Sequence, residues 1–170
     1  MRRLSLLKTV TDILFILTMI GAIFGLPLII MVFLFPDSIP FKLDADSELL
    51  QGKEQWEIII LLLLLYVGAL FFVYALYLFR KTLDLFRKRI IFDDRVIKNF
   101  DQTGKAILIG YSIIAASIVL AWITSPSHDI TIGIAFNNSL LTIGLGLFFI
   151  VLAEVFQTAK GMKEENELTV

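Results

Sequence analysis

The chain has no cysteine, a single histidine and four prolines in 170 residues. Without cysteine it has no disulfide, no thiol nucleophile and no thiolate metal site. The lone histidine, His128, stands beside Asp129 in a short predicted loop and reads as half of a solvated pair. No His/Glu cluster has the spacing of metal ligands. A phosphate-cradling glycine loop is missing too, because Gly144-Leu145-Gly146 lies inside an apolar run and reads as helix packing. No acid/base pair or nucleophile constellation is present, so the chain is expected to be neither an enzyme nor the holder of a cofactor.

What the sequence has in abundance is apolar length. Hydrophobic residues make up 58% of the chain, and its mean hydropathy is +0.85. Soluble chains average roughly 45–50% apolar residues. Four runs stand out, at about 13–35, 58–79, 106–124 and 139–156. Each is close to the ~20 residues a helix needs to cross the hydrocarbon core of a bilayer. One buried all-apolar helix fits inside a soluble protein, but four would leave almost no polar surface to meet water. The expected fold is therefore an all-α membrane protein, a four-transmembrane-helix bundle forming one domain over residues 1–170. The first run follows Met1-Arg2-Arg3 and Lys8 like the core of a signal peptide. It is too long for one and lacks a small-residue cleavage site, so it reads as a retained span.

The charges orient the bundle. Of 15 Lys and Arg, all but Lys42 and Lys53 precede the first run, lie between the second and third, or follow the fourth. By the positive-inside rule both termini, the loop 80–105 and the tail 157–170 are expected in the cytoplasm. The middle loop carries eight basic and four acidic residues, and the outer loop 36–57 carries two basic and six acidic ones. Attraction to anionic lipid would hold the basic loop near the membrane. Trp56 and Trp122 fall at the opposite interface, where indole rings concentrate.

Local signals mark the elements. Gly21 and Gly25 form a small-xxx-small face for helix packing, within the chain or in a homo-oligomer, and Pro27 is expected to kink the first span. The second helix should continue past Phe79 through Arg80–Arg89, with Leu83 and Phe86 keeping one face apolar. Ile90–Asp94 reads as a turn, Asp93 as the N-cap of the third helix, and Phe92 with Ile97 as a hydrophobic staple. Asn137, Asn138 and Ser139 offer a start for the fourth helix and Gly161 its end. Residues 39–43 and the alternating stretch 130–136 could pair as a small extracytoplasmic β-ribbon. The second stretch reads equally as a turn or as the first turns of the last helix.

Two acids touch the spans. Asp12 precedes the first, and Glu154 lies three residues from the end of the fourth, where an unpaired carboxylate is costly. They define a candidate intramembrane polar site, and a transporter, channel or accessory subunit using Glu154 is the second functional reading. Thr18, Ser112, Ser117 and Thr142 are few for an ion path. That Glu154 pairs with a cytoplasmic Lys or Arg, or reaches the headgroup region, is the simpler account. The basic loop lacks a reading helix or zinc motif, so no direct nucleic-acid binding is expected. The acidic tail ends in β-prone residues and could add to a partner as a strand or dock in a groove.

Several of these residues carry a resemblance. Val155-Phe156, Gly161 and the closing Glu164-Glu165-Asn166-Glu167-Leu168-Thr169-Val170 resemble the C-terminal signature of the DUF2975 family of bacterial membrane proteins. There a final span runs into a Phe-x-x-Gly-like segment and closes on Glu-Leu-Thr-Val or Ile. Ile91–Asp94 and the stretch through Lys105 are similar to the family's Phe-containing turn into the third helix. Asp93-Asp94-Arg95 departs from the Glu-Asn-like start expected there. Family members look to be encoded beside a small helix-turn-helix regulator, which implies a membrane partner that holds or releases a DNA-binding protein. The resemblance places that contact on the middle loop, at Asp93, Asp94 and Lys98, and on the tail Glu164–Val170.

Overall fold

The computed structural model describes residues 2–34, 54–124 and 139–168. Helix α1 spans Arg2–Leu34, α2 Gln55–Arg87, α3 Asp94–Ile123 and α4 Ser139–Leu168. No strand occurs among the described residues, and the two segments considered for a ribbon lie outside them. All four helices are long and apolar enough to cross a membrane, and the protein is a four-helix membrane bundle. The helices run for 33, 33, 30 and 30 residues, or roughly 45–50 Å at 1.5 Å per residue. The hydrocarbon core is only ~30 Å thick, so each helix has several turns to spare. The charges show where that surplus lies. Lys8, Asp12, Arg80, Asp84, Asp101, Lys105 and Glu154 form a belt, and the helix ends beyond it make up the charged end of the bundle.

Neighbours in sequence pack as neighbours in space: α1 on α2, α2 on α3, and α3 on α4. Lipid tails are as apolar as leucine, so within the membrane close backbone approach must hold helices together. Glycines supply that approach at two crossings. A methyl group added at Gly110 would lie 3.0 Å from the carbonyl oxygen of Gly68, and one at Gly68 would lie 3.1 Å from that of Gly110. On the other flank of α3, a methyl on Gly104 would fall 2.5 Å from the Gly146 carbonyl oxygen. Gly25 makes room for the ring of Tyr66, whose hydroxyl donates to the Ala22 carbonyl at 2.8 Å. Gly21 and Gly144, expected to pack, have nothing within 4 Å of an added methyl. Packing on α4 falls two residues further along, at Gly146, and α1 continues as helix through Pro27.

Towards the charged end the packing changes character. Phe79 and Phe86 of α2, Phe92 of the connecting turn, Phe100 of α3, and Phe149 and Phe156 of α4 form a chain of ring contacts. Their centroids are 5.4 to 6.3 Å apart. Leu85, Val96 and Ala153 complete this core, with Val96 fully buried. Here water is close enough for burial of apolar surface to drive folding, at about 25 cal/mol per Å². The bundle is thus joined by close glycine contacts between helices and, towards its charged end, by a phenylalanine core.

The α2–α3 connection is short, running from Lys88 to Asp93. Helix α2 ends at Arg87, two residues before the end expected from sequence. The Ile90 N–H donates to the Leu85 carbonyl and the Arg89 N–H to that of Phe86, both at 3.0 Å. That is the Schellman arrangement, and Arg89 takes its left-handed position at φ 62°. Ile90 then packs against the core beside Leu85. Asp93 caps α3, its carboxylate accepting from the Arg95 N–H at 2.9 Å. Phe92, expected to staple onto Ile97, has its ring against Phe156 of α4.

Candidate functional site at the charged end

Helix α1 is tied to α2 by two ion pairs of opposite sense. Lys8 pairs with Asp84, and one turn further into the membrane Asp12 accepts from Arg80 Nε at 2.5 Å. The Arg80 guanidinium also lies 5.2 Å from the centre of the Phe15 ring. The steps from 8 to 12 and from 84 to 80 are one helical turn on antiparallel helices, so the sequence spacing alone aligns the two rungs. Asp12, a candidate for an intramembrane polar site, is therefore the partner of an arginine.

Between α3 and α4 the charged end opens into a groove. Its inner hollow, of about 400 Å³, is lined by Asp94, Ile97, Lys98, Asp101, Ile150, Ala153, Glu154 and Gln157. The outer hollow, of about 370 Å³, shares Asp94, Ile97 and Gln157 and adds Lys160, Gly161 and Glu164. Lys160 bridges the outer part, 2.7 Å from Asp94 and 3.6 Å from Glu164. Asp101 is paired with Lys105 at 2.7 Å. Lys105 lies one turn nearer the membrane centre and reaches back towards water, as long cationic side chains do at helix ends. Glu154 is exposed on α4 and has no ion pair among the described residues, so the pairing expected for it is not found there. Just beyond the groove, the Asp93 carboxyl is held down at about 2, chiefly by the Arg95 guanidinium and then by the Arg95 N–H.

Of the residues singled out from sequence, Asp94, Lys98, Glu154 and Glu164 converge on this groove. Asp93 is a cap beside it. Glu165, Asn166, Glu167 and Leu168 lie on the last turn of α4, with Glu167 3.6 Å from Lys163 and Leu168 87% exposed. Thr169 and Val170 are outside the described residues. The tail corrects an expectation. Gly161 does not end α4, which stays helical to Leu168, so residues 162–168 are not a free strand. A single glycine costs a helix about 1 kcal/mol, and the Lys160 and Lys163 pairs work against that cost. Lys160 and Gln157 went unremarked in the sequence. The signal for Lys160 was its i,i+4 spacing to Glu164.

No group of three or more metal-ligand side chains occurs among the described residues. The hydroxyls of Thr18, Ser112 and Ser117 donate to carbonyls of their own helices. They are thus satisfied locally and do not line a shared polar path.

These features define a multi-pass membrane protein with a charged groove between two of its helices at one end of the bundle. The chain belongs to the family described as Protein of unknown function (DUF2975), which it matches over residues 44–170. That stretch takes in α2, α3 and α4 and leaves α1 outside it. No curated protein and no solved structure matches the chain.

Proposed function

We infer that this protein is a non-enzymatic regulatory or scaffolding partner in the bacterial inner membrane. It presents its charged end to a small cytoplasmic helix-turn-helix protein. The observation that carries the reading is the phenylalanine core at the charged end. It makes the ends of α2, α3 and α4 one packed platform, and the groove between α3 and α4 is part of it. A rigid, solvent-facing groove with alternating charges suits recognition of another protein. Orientation rests on the positive-inside distribution of Lys and Arg, with both termini and the α2–α3 turn in the cytoplasm.

Transport centred on Glu154 is the weaker reading. Glu154 lies five residues beyond Phe149, on the water side of the ring core and away from the middle of the membrane. Co-purification in detergent with the regulator encoded beside it tests the proposal. Retention of that regulator, lost on deleting residues 164–170, supports it, and absence of any co-purification contradicts it.

A further inference from the structure

The two parts of the groove differ in how their charges are met. In the outer part Lys160 answers both Asp94 and Glu164. In the inner part Asp101 is answered by Lys105, but Lys98 and Glu154 have neither an ion pair nor a side-chain hydrogen bond among the described residues. An unanswered cation and an unanswered carboxylate therefore line the same hollow of about 400 Å³. Such a volume lies within the ~300–1,000 Å³ typical of small-ligand sites.

Depth narrows the ligand. Phe79, Phe100 and Phe149 touch one another across three helices and so mark one level of the bundle. Arg80 and Asp101 follow directly in sequence on Phe79 and Phe100. Glu154 lies five residues past Phe149, roughly 7–8 Å nearer the charged end. Lys98 lies two residues past Phe100 in the same direction. Ile150 and Ala153 line the hollow on the α4 side, and Asp101 is its deepest lining residue on α3. The hollow thus sets apolar side chains beside charged ones at the level of the charged belt, where a bilayer passes from its acyl chains to its headgroups. Glu154 is exposed at that level and open to a cationic partner from the headgroup layer.

We propose that the inner part of the groove binds a phospholipid whose headgroup carries a primary amine. Lys98 takes the phosphate, Glu154 takes the ammonium, and an acyl chain lies along Ile150. A glycerol headgroup brings the phosphate but no cation for Glu154. A choline headgroup brings the charge but no N–H to donate. Only the primary amine answers both residues with hydrogen bonds as well as charge. This site adjoins the outer hollow, with which it shares Asp94, Ile97 and Gln157.

The test is native mass spectrometry of the full-length protein in detergent, titrated with dioleoyl phosphatidylethanolamine, phosphatidylcholine and phosphatidylglycerol. The ethanolamine lipid is expected to be retained at the lowest concentration. Glu154→Gln should weaken its retention about fivefold, to the level of the other two, while Lys98→Gln weakens all three by a similar factor. Equal retention of the three lipids, strongest retention of the glycerol lipid, or an ethanolamine preference that survives Glu154→Gln would each overturn the proposal. If Glu154→Gln does not give monodisperse protein, the headgroup ranking of the unaltered chain decides alone. An ethanolamine preference supports the site, and no preference overturns it.

Discussion

A glycine's role depends on what lies opposite its missing side chain. Gly104 stands between Thr103 and Lys105 just before the third apolar run, and Gly144 stands between Ile143 and Leu145 inside the fourth. Yet an added methyl on Gly104 would sit 2.5 Å from a backbone oxygen, and one on Gly144 would meet nothing within 4 Å. Gly104→Ala should therefore cost about 1–3 kcal/mol through forced separation of α3 and α4. Gly144→Ala should be neutral or slightly stabilising. Thermal melting of the two variants in one detergent checks the contrast. The small-xxx-small pattern was legible in the sequence. Which glycines faced a partner was not, because Gly144 and Gly146 differ by 200° around the helix and both flanks are equally apolar.

Asp93 acts at the same scale. Its carboxyl is held at about 2 by Arg95, below the ordinary value near 3.9 for aspartate. A lowered folded-state value means that the ionised form adds stability above the ordinary value and loses it as pH falls through the folded one. Asparagine still caps a helix but does not titrate. The melting-temperature advantage of the unaltered chain over Asp93→Asn should thus be constant above about pH 5. It should shrink between about pH 4 and 2. An advantage that grows on acidification would contradict the assignment.

Among the elements, α1 stands apart. It is exposed along most of its length, Thr11, Ile29 and Val32 being its buried residues, and it lies outside the matched stretch 44–170. Its hold on α2 rests on Tyr66 and on the paired rungs Lys8–Asp84 and Asp12–Arg80. Arg80→Asp should lower the melting temperature and loosen α1, because two carboxylates then face each other at the membrane edge. Combining it with Asp12→Arg restores opposite charges and should recover most of the loss. Failure of the double variant to recover would show that the rung does not orient α1.

Helix beginnings were easier to read than helix ends. Asp93 announced α3 through cap chemistry that depends only on local residues. The ends of α2 and α4 depended on partners far along the chain. Arg89 adopts the left-handed position usually given to glycine because Ile90 must turn back into the core. Gly161 fails to stop α4 because Lys160 is held across the groove by Asp94. The phenylalanine core was likewise hidden, since its members come from three helices and a turn whose juxtaposition no single window contains.

For the whole molecule, the central proposal is that the charged end faces the cytoplasm, beyond the hydrocarbon core. The four apolar runs made the membrane legible, and the basic residues gave a direction. The projection of packed helices past the bilayer appears only when their 30–33 residues are set against the membrane's thickness. The chain has no native cysteine, so single cysteines can be introduced without altering anything else. The decisive measurement is labelling of Gln157→Cys, Glu164→Cys and Phe148→Cys with a membrane-impermeant maleimide, on intact cells and on inverted membrane vesicles. Positions 157 and 164 should label in inverted vesicles and stay unlabelled on intact cells, while position 148, facing lipid, labels in neither. Labelling of 157 or 164 from outside the cell, or protection of both in each preparation, would contradict the account.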